Sequence, residues 1–352
     1  MSIDPEKRKS IMSLSDADKF SILEKIHKEK IRIDLDCFAM LLEDKNNGIR
    51  EKAKNIILGS ANPENISEMV HYLSSRNPET RNIIVEILYE TADLNLDAVG
   101  SLTRSADEDL RIYACQILGH SKDPEAILLL KKMILDKSPN VRNAAAMAFE
   151  SSPQRFDISF LIEALRKEKE EWVKFSIIEI IDSHGNRSFL KDLLELAEYE
   201  PDYIRLEILR LFKKFGDISS LRLLLEYEKL YTDTLFSDFN DCIITITNRS
   251  PDSESPGNNS RITDHMIRIA AGDGNPWNRY ESIRLLSALR PEESLDLFKR
   301  FARDEHPLVR IASIGALAKS DFKEIKMFVK GFLEDKDDEV RKLAKKIYQD
   351  GH

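Results

Sequence analysis

The stretch LDKSPNVRNAAAMAF, residues 135–149, sets the reading of the whole chain. Ser138 followed by Pro139 marks a helix start: a serine oxygen accepts from the orphan backbone N–H groups, and proline at the first helical position has only an orphan N–H to lose. Beyond it, Ala144, Ala145, Ala148 and Phe149 stand at offsets +2, +3, +6 and +7 from Arg142, positions that share one helical face. Small residues on that face let a second helix approach closely. Leu135 and Asp136, just before the turn, close a preceding apolar run.

The pattern recurs as LEDKNNGIREKA (42–53), RDEHPLVRIASIGAL (303–317) and EDKDDEVRKLA (334–344). Its basic anchors are Arg50, Arg81, Arg111, Arg142, Lys174, Arg205, Arg279, Arg310 and Arg341, with successive spacings of 31, 30, 31, 32, 31, 74, 31 and 31 residues. A fixed period of this length is the mark of a repeat architecture. The gap of 74 holds two repeats and a surplus, so a degenerate unit lies near Asn240 and the surplus falls in NRSPDSESPGNNS (248–260). That makes ten units. Proline precedes the anchor by three residues at Pro78, Pro139, Pro276 and Pro307, and a second punctuation at Asn62-Pro63-Glu64, Asp123-Pro124-Glu125 and Arg290-Pro291-Glu292 opens the next unit's first helix. Each unit therefore reads as a helical hairpin.

A period near 31 with Asp, Val-Arg and a following Ala-rich helix resembles HEAT repeats, in particular the short bacterial and archaeal type also found in phycobilisome lyases. The resemblance covers about 40 to 349. It implies an all-α, right-handed α-solenoid of about ten HEAT-like hairpins in which neighbours bury one another's apolar faces. The expected organisation is an N-terminal tail (1–14), a capping helix (15–34) with Ser15 as its N-cap, repeats one to seven (35–247), an insertion loop (248–260) and repeats eight to ten (261–352). The loop, beside the degenerate unit, is either a disordered spacer or a functional protrusion, and it suggests a hinge.

Composition agrees with a helical chain. Among 352 residues there are 12 Gly and 12 Pro, too few for a loop-rich all-β fold, and 33% are charged with a net charge of −9. Three cysteines, Cys37, Cys115 and Cys242, are far apart and odd in number, which argues against a disulfide framework or a zinc cluster. There is no run of 18 apolar residues and no signal-peptide pattern, so a cytoplasmic protein without membrane contact is expected.

The Asp six residues before the anchor recurs as Asp44, Asp136, Asp273, Asp304 and Asp335, in register with Arg50, Arg142, Arg279, Arg310 and Arg341. A catalytic site needs one constellation and not five copies, so these residues are read as a stacking ladder between successive turns. Ser75, Ser105, Glu168 and Tyr199 take the Asp place in other units and interrupt it.

No P-loop, GxGxxG, HExxH or GxSxG motif occurs, and Asp44-Lys45-Asn46-Asn47-Gly48 fails as a calcium loop because residue 55, where the bidentate Glu belongs, is Asn. The resemblance implies further tests. The iron-binding hydroxylases of this fold carry repeated His-Glu dipeptides, and none is present. His27, His71, His120, His184 and His265 are scattered, and His306 reads as an N-cap before Pro307. No catalytic residue, metal or cofactor is expected. The enzyme alternatives are a phycobilin lyase-like protein and a nucleic-acid-binding protein like the alkylation-repeat DNA glycosylases.

Two rows of side chains point to a partner protein. At offset +1 the middle repeats carry Phe175, Leu206, Tyr280 and Ile311, which either pack on the neighbouring helix or form a groove for a helical or extended segment. At offset −2 stand Trp172, Tyr203 and Trp277, with Phe239 near the equivalent place in the degenerate unit. Both tryptophans of the chain thus share one repeat position, either as exposed anchors or as staples folded over the turn. Arg210, Lys213, Lys214, Arg284, Lys345 and Lys346 lie on second helices, but Glu86, Glu150 and Glu179 break the basic row, which argues against nucleic acid.

Overall fold

A computed structural model describes residues 10, 11, 13–31, 35–231, 234–249, 264, 266–271, 275–289, 292 and 294–350, apart from the side chains of 218 and 350. The described residues contain helices and no strand. The chain divides into two compact units, Met1–Gly185 and Asn186–His352. Residues 250–260 of the expected insertion, most of the 1–14 tail, Asp273, His265, Arg290 and Pro291 lie outside the described residues.

The first unit begins with α1 (Asp16–Glu29) and continues through α2 (Leu35–Leu41), α3 (Asn47–Gly59), α4 (Pro63–Tyr72), α5 (Pro78–Thr91), α6 (Leu96–Leu102), α7 (Glu108–His120), α8 (Pro124–Met133), α9 (Pro139–Ser151), α10 (Ser159–Lys167) and α11 (Glu171–His184). The second helices α1, α3, α5, α7, α9 and α11 pack on one another in order, and α2, α4, α6 and α8 form the other layer. The second unit contains α12 (Leu190–Ala197), α13 (Asp202–Phe215), α14 (Ile218–Glu226), α15 (Phe236–Arg249), a helix over 266–271, α16 (Pro276–Leu289), α17 (Leu295–Phe301), α18 (Pro307–Lys319), α19 (Ile325–Val329) and α20 (Asp338–Asp350). Here α13, α15, α16, α18 and α20 pack in sequence as the second-helix layer. Each unit is a two-layer stack of helical hairpins, the local architecture of an α-solenoid.

Local chemistry starts the helices as the sequence reading expects. Asn46, Asn77, Asp107 and Ser138 each accept from the backbone N–H two residues on, and His306 Nδ1 accepts from Leu308 N at 3.4 Å. Between α7 and α9 the helices nearly touch: a Cβ on Gly119 would lie 2.9 Å from Ala148 Cα. The core faces hold offsets +3, +6 and +7 buried, as at Ala145, Ala148 and Phe149 or Ile177, Ile180 and Ile181. Offset −1 is buried as well, at Val141, Val173, Ile204, Val309 and Val340.

Several successive second helices are tied by a ladder of arginines, in its full form with two rungs each. Arg50, Arg81, Arg111, Arg142, Arg310 and Arg341 each donate through Nη1 to the carbonyl six residues earlier in their own turn, at 2.6 to 3.0 Å. The second rung reaches the next repeat: Arg111 Nε and Nη2 donate to Asp136 at 2.9 and 3.0 Å, Arg142 to Glu168 at 2.6 and 2.8 Å, Arg279 to Asp304 at 3.1 and 2.8 Å, and Arg310 Nη2 to Asp335 at 2.7 Å. Each aspartate thus gives its carbonyl to the anchor of its own repeat and its carboxylate to the anchor of the repeat before. The same carboxylates accept from the N–H two residues on, at Asn46, Ser138, His306 and Asp337, and so close the turn. Ser75 and Ser105 keep that turn bond, to Asn77 N and Asp107 N, but offer no carboxylate across the repeat. Arg81 Nε donates to Tyr113 Oη instead.

Candidate interaction face

The rotation of each second helix decides what offsets −2 and +1 present. With −1, +3, +6 and +7 turned inward, −2, +1 and +5 stand on the opposite flank, away from the core. Trp172, Phe175, Tyr203 and Trp277 are all exposed, at between 36% and 46% relative exposure. Leu206, Tyr280 and Ile311 are half-buried, so the offset +1 side chains pack partly against their neighbours and partly face outward.

In the second unit, Trp277 stacks on Tyr280 one turn away on α16, with ring centroids 5.1 Å apart and planes inclined by 24°. The tryptophan therefore lies along its own helix as a flat plate. The next second helix, α18, continues the row with Leu308, exposed at offset −2, and Ile311. Gly315, one turn further on, has open space where a Cβ would point, so bare backbone follows the apolar residues. Leu308 escapes the sequence reading because a leucine at an offset occupied by aromatics elsewhere does not look like a member of the row. Its signal was positional, 31 residues after Trp277.

In the first unit, Trp172 and Phe175 stand one turn apart on α11, and exposed Met147 lies on α9, the helix beside it. Ser176 Oγ donates to Asn143 Oδ1 at 2.6 Å and Asn143 Nδ2 to Met147 Sδ at 3.5 Å, which ties the outer faces of these helices together.

Phe239 is a correction. It is fully buried, stacked on Tyr231 with centroids 5.6 Å apart, and so belongs to the core of the degenerate repeat. The helix starts at Phe236, which makes 239 and not 240 the anchor position, and an apolar stack replaces the arginine. Arg205 accordingly finds no carboxylate 25 residues on and donates to Leu230 O at 3.4 Å, as well as to Ala197 O at 3.0 Å.

The ladder is electrostatically closed. Burial, which raises the carboxyls of Glu168, Asp304 and Asp335, is outweighed by Arg142, Arg279 and Arg310 together with turn N–H donors, and each ends below its ordinary value. Among basic residues of the second helices, Arg210 pairs with Glu207, Arg284 with Asp241 and Glu281, and Lys54 with Glu86. Among the described residues no group of three His, Cys, Asp or Glu side chains is set to hold a metal ion, and no helix is long and apolar enough to cross a membrane.

Comparison with known proteins agrees with this architecture. A family model for HEAT repeats matches residues 96–179 and 263–346, one segment in each unit, and these segments are HEAT repeats. The chain is similar to the bilin biosynthesis protein MpeU of Synechococcus sp. (strain WH8020), with 29% identity over 123 residues, 33% of this chain and 40% of that protein. The crystal structure of Kap121p matches with a TM-score of 0.61 at 14% identity, over 98% of this chain and 45% of that one. Kap121p bound to Ste12p matches with a TM-score of 0.59 over the same shares. The chain spans less than half the length of each of these proteins, and the likeness to Kap121p is one of fold, an all-α helical solenoid.

Proposed function

We propose that the chain is a non-catalytic HEAT-repeat scaffold of the cytoplasm that binds a partner protein through the outer flank of its second helices, using Trp172 and Phe175 in the first unit and Tyr203, Leu206, Trp277, Tyr280 and Ile311 in the second. The observation that carries this reading is the Trp277–Tyr280 stack, left outside the core and continued by Leu308 and Ile311 on the next helix. Large, rigid aromatics at an exposed edge gain most from desolvation by a partner. The pairing of Arg210 and Arg284 with carboxylates supports protein over nucleic acid, since a phosphate-tracking surface needs free contiguous positive charge. Kap121p, of like fold, has been solved with Ste12p bound. The test is affinity purification from the native cell of wild type beside Trp172→Ala/Tyr203→Ala/Trp277→Ala, with a nuclease-treated control. Loss of a nuclease-insensitive protein from the variant is expected; retention of every protein by the variant, or recovery that collapses with nuclease, overturns the reading.

The partial identity to MpeU favours a second reading, a lyase-like protein acting in bilin chemistry. Mixing the purified chain with an open-chain bilin and recording the visible spectrum decides it: a shifted, chain-dependent absorbance supports the lyase, and an unchanged spectrum removes it.

A further inference from the structure

The ladder of the first unit is interrupted at two consecutive places, and a serine stands at each. Over the successively packed α5, α7, α9 and α11 the residue six before the anchor reads Ser75, Ser105, Asp136 and Glu168. Both serines do part of what an aspartate does there. Their carbonyls accept from Arg81 Nη1 at 2.6 Å and Arg111 Nη1 at 3.0 Å, and their Oγ atoms accept from Asn77 N at 3.2 Å and Asp107 N at 3.1 Å. What they lack is the anion that Asp136 and Glu168 present to the arginine of the repeat before. Arg50, 25 residues before Ser75, turns back on its own repeat and donates to Asp44 O at 2.6 Å, Lys45 O at 3.3 Å and Asn47 Oδ1 at 3.1 Å. Arg81, 24 before Ser105, reaches α7 but finds only the neutral Tyr113 Oη there, at 3.1 Å from Nε. Arg111 and Arg142 bind their carboxylates through both Nε and Nη2.

A phosphoryl group on either serine supplies that anion at the required reach. Its terminal oxygens are as many bonds from Cβ as those of a glutamate, and Glu168 shows that an acid of this length fits the place. Glu168 accepts from Arg142 Nε and Nη2 at 2.6 and 2.8 Å and still holds its turn through Lys169 N and Glu170 N at 2.8 and 2.9 Å. A phosphoserine carries about −1.5 to −2 charge at pH 7, and its oxygens take paired, charge-assisted hydrogen bonds from a guanidinium. Arg76 and Arg104, exposed and adjacent in sequence to the serines, add positive charge beside them. Ser75 and Ser105 are half-buried in the connections 73–77 and 103–107, each between two exposed neighbours.

We infer that Ser75 and Ser105 are phosphorylation sites whose phosphoryl groups close the ladder by pairing with Arg50 and Arg81. In the transfer, the serine Oγ attacks the γ-phosphorus of a nucleoside triphosphate bound by a protein kinase. The bond from that phosphorus to the bridging oxygen breaks, the nucleoside diphosphate leaves, and the hydroxyl proton passes to the kinase's base. Unmodified, the run of arginine–acid pairs in this unit extends from Arg111 to Glu168; modified, it begins at Arg50. The modification thus stiffens the first repeats, whatever the chain binds.

The experiment installs phosphoserine at 75 or at 105 during translation of the full chain and follows amide exchange. Phosphate at 75 is expected to slow exchange in α3 and α5 by about tenfold, and phosphate at 105 to do the same in α5 and α7. Arg50→Gln removes the first effect and Arg81→Gln the second, each read with and without phosphate in the same background so that the variant's own stability cancels. Ser75→Glu and Ser105→Glu, with the reach of Glu168, reproduce part of the slowing. No slowing, or slowing that survives the arginine variants, overturns the pairing. Phosphopeptide mass spectrometry of the chain purified from native cells, growing and starved, with phosphatases inhibited, is expected to find phosphate on Ser75 or Ser105. Its absence from both overturns the modification.

Discussion

Lys19 Nζ lies 2.7 Å from Asp44 Oδ2 with both side chains buried, and the two residues are 25 positions apart, the separation of Arg111 from Asp136, Arg279 from Asp304 and Arg310 from Asp335. Lys19 also precedes Arg50 by 31, and Ser15 stands at its N-cap four residues before it, accepting from Asp18 N. The first helix is thus the second helix of a further repeat and closes the ladder with a lysine. Lys19→Ala leaves Asp44 buried without its cation, a change of ~3–5 kcal/mol for a fully buried pair. Faster amide exchange in α1 and along the α3 face it covers is expected, with Lys19→Arg restoring protection; unchanged exchange in Lys19→Ala contradicts the assignment.

Arg142 and Glu168 form the tightest rung, and the carboxyl side chain is almost wholly covered. Removing only one partner strands a buried charge, whereas replacing both with apolar groups does not. Denaturant titration therefore orders the variants: Arg142→Leu and Glu168→Leu each lose ~3–5 kcal/mol, and the double variant loses less than either. A double variant as unstable as the sum of the singles is the contrary result.

Acid acts on the same rungs. Burial raises the carboxyls of Asp44, Glu168, Asp304 and Asp335, but Lys19, Arg142, Arg279 and Arg310 with the turn N–H groups bring each below its ordinary value. Asp217 is lowered to about 2, first by Ser219 and then, against the opposing effect of burial, by Ser220 and Arg187. A group depressed in the folded state contributes stability above its unfolded pKa and loses it as pH falls through the folded value. Thermal midpoints from the ladder therefore hold level from neutrality down to about pH 5 and fall steeply below about pH 4. In Asp304→Asn the fall is shallower.

Asn240 in α15 is fully buried, and neither atom of its amide has a hydrogen-bond partner. A buried polar group in that state costs about 1–3 kcal/mol. Asn240→Leu, similar in size and apolar, should raise the unfolding free energy by that order, seen as a higher chemical midpoint with the same slope. A lower midpoint would mean that the amide is satisfied.

The hairpins, their caps and the repeat period were legible because each depends on residues a few positions apart: Ser138 with Pro139, Asn77 with Pro78, His306 with Pro307. The buried face was only partly so. Offsets +3, +6 and +7 follow from periodicity, but the burial of Val141 and Val309 at −1 depends on neighbouring helices that the second helix's own pattern does not reveal. Phe239 was misplaced for a related reason: in a unit without Arg or Asp, only the true helix start at Phe236 sets the register. Lys19 escapes notice because its turn has neither the Asp nor the Pro of the clearest repeats and its anchor is a lysine, although the spacing of 31 to Arg50 is in the sequence. Trp172, Tyr203 and Trp277 admit two readings, anchors or staples, because exposure depends on the rotation of each second helix about its axis, which local spacing does not set.

Arg111, Arg142 and Arg310 each hold a carbonyl of their own turn and reach a carboxylate of the turn that follows. The stack consequently has a direction at the scale of a single bond. A repeat duplicated in place arrives with one donor facing forward and one acceptor facing back, so it docks with both neighbours without any compensating change. A repeat that loses its carboxylate, as at Ser75 and Ser105, disturbs only the arginine before it. Chains of this kind can lengthen or shorten over evolutionary time in steps of about 31 residues, and the surface they present to a partner is extended or trimmed by one rung at a time.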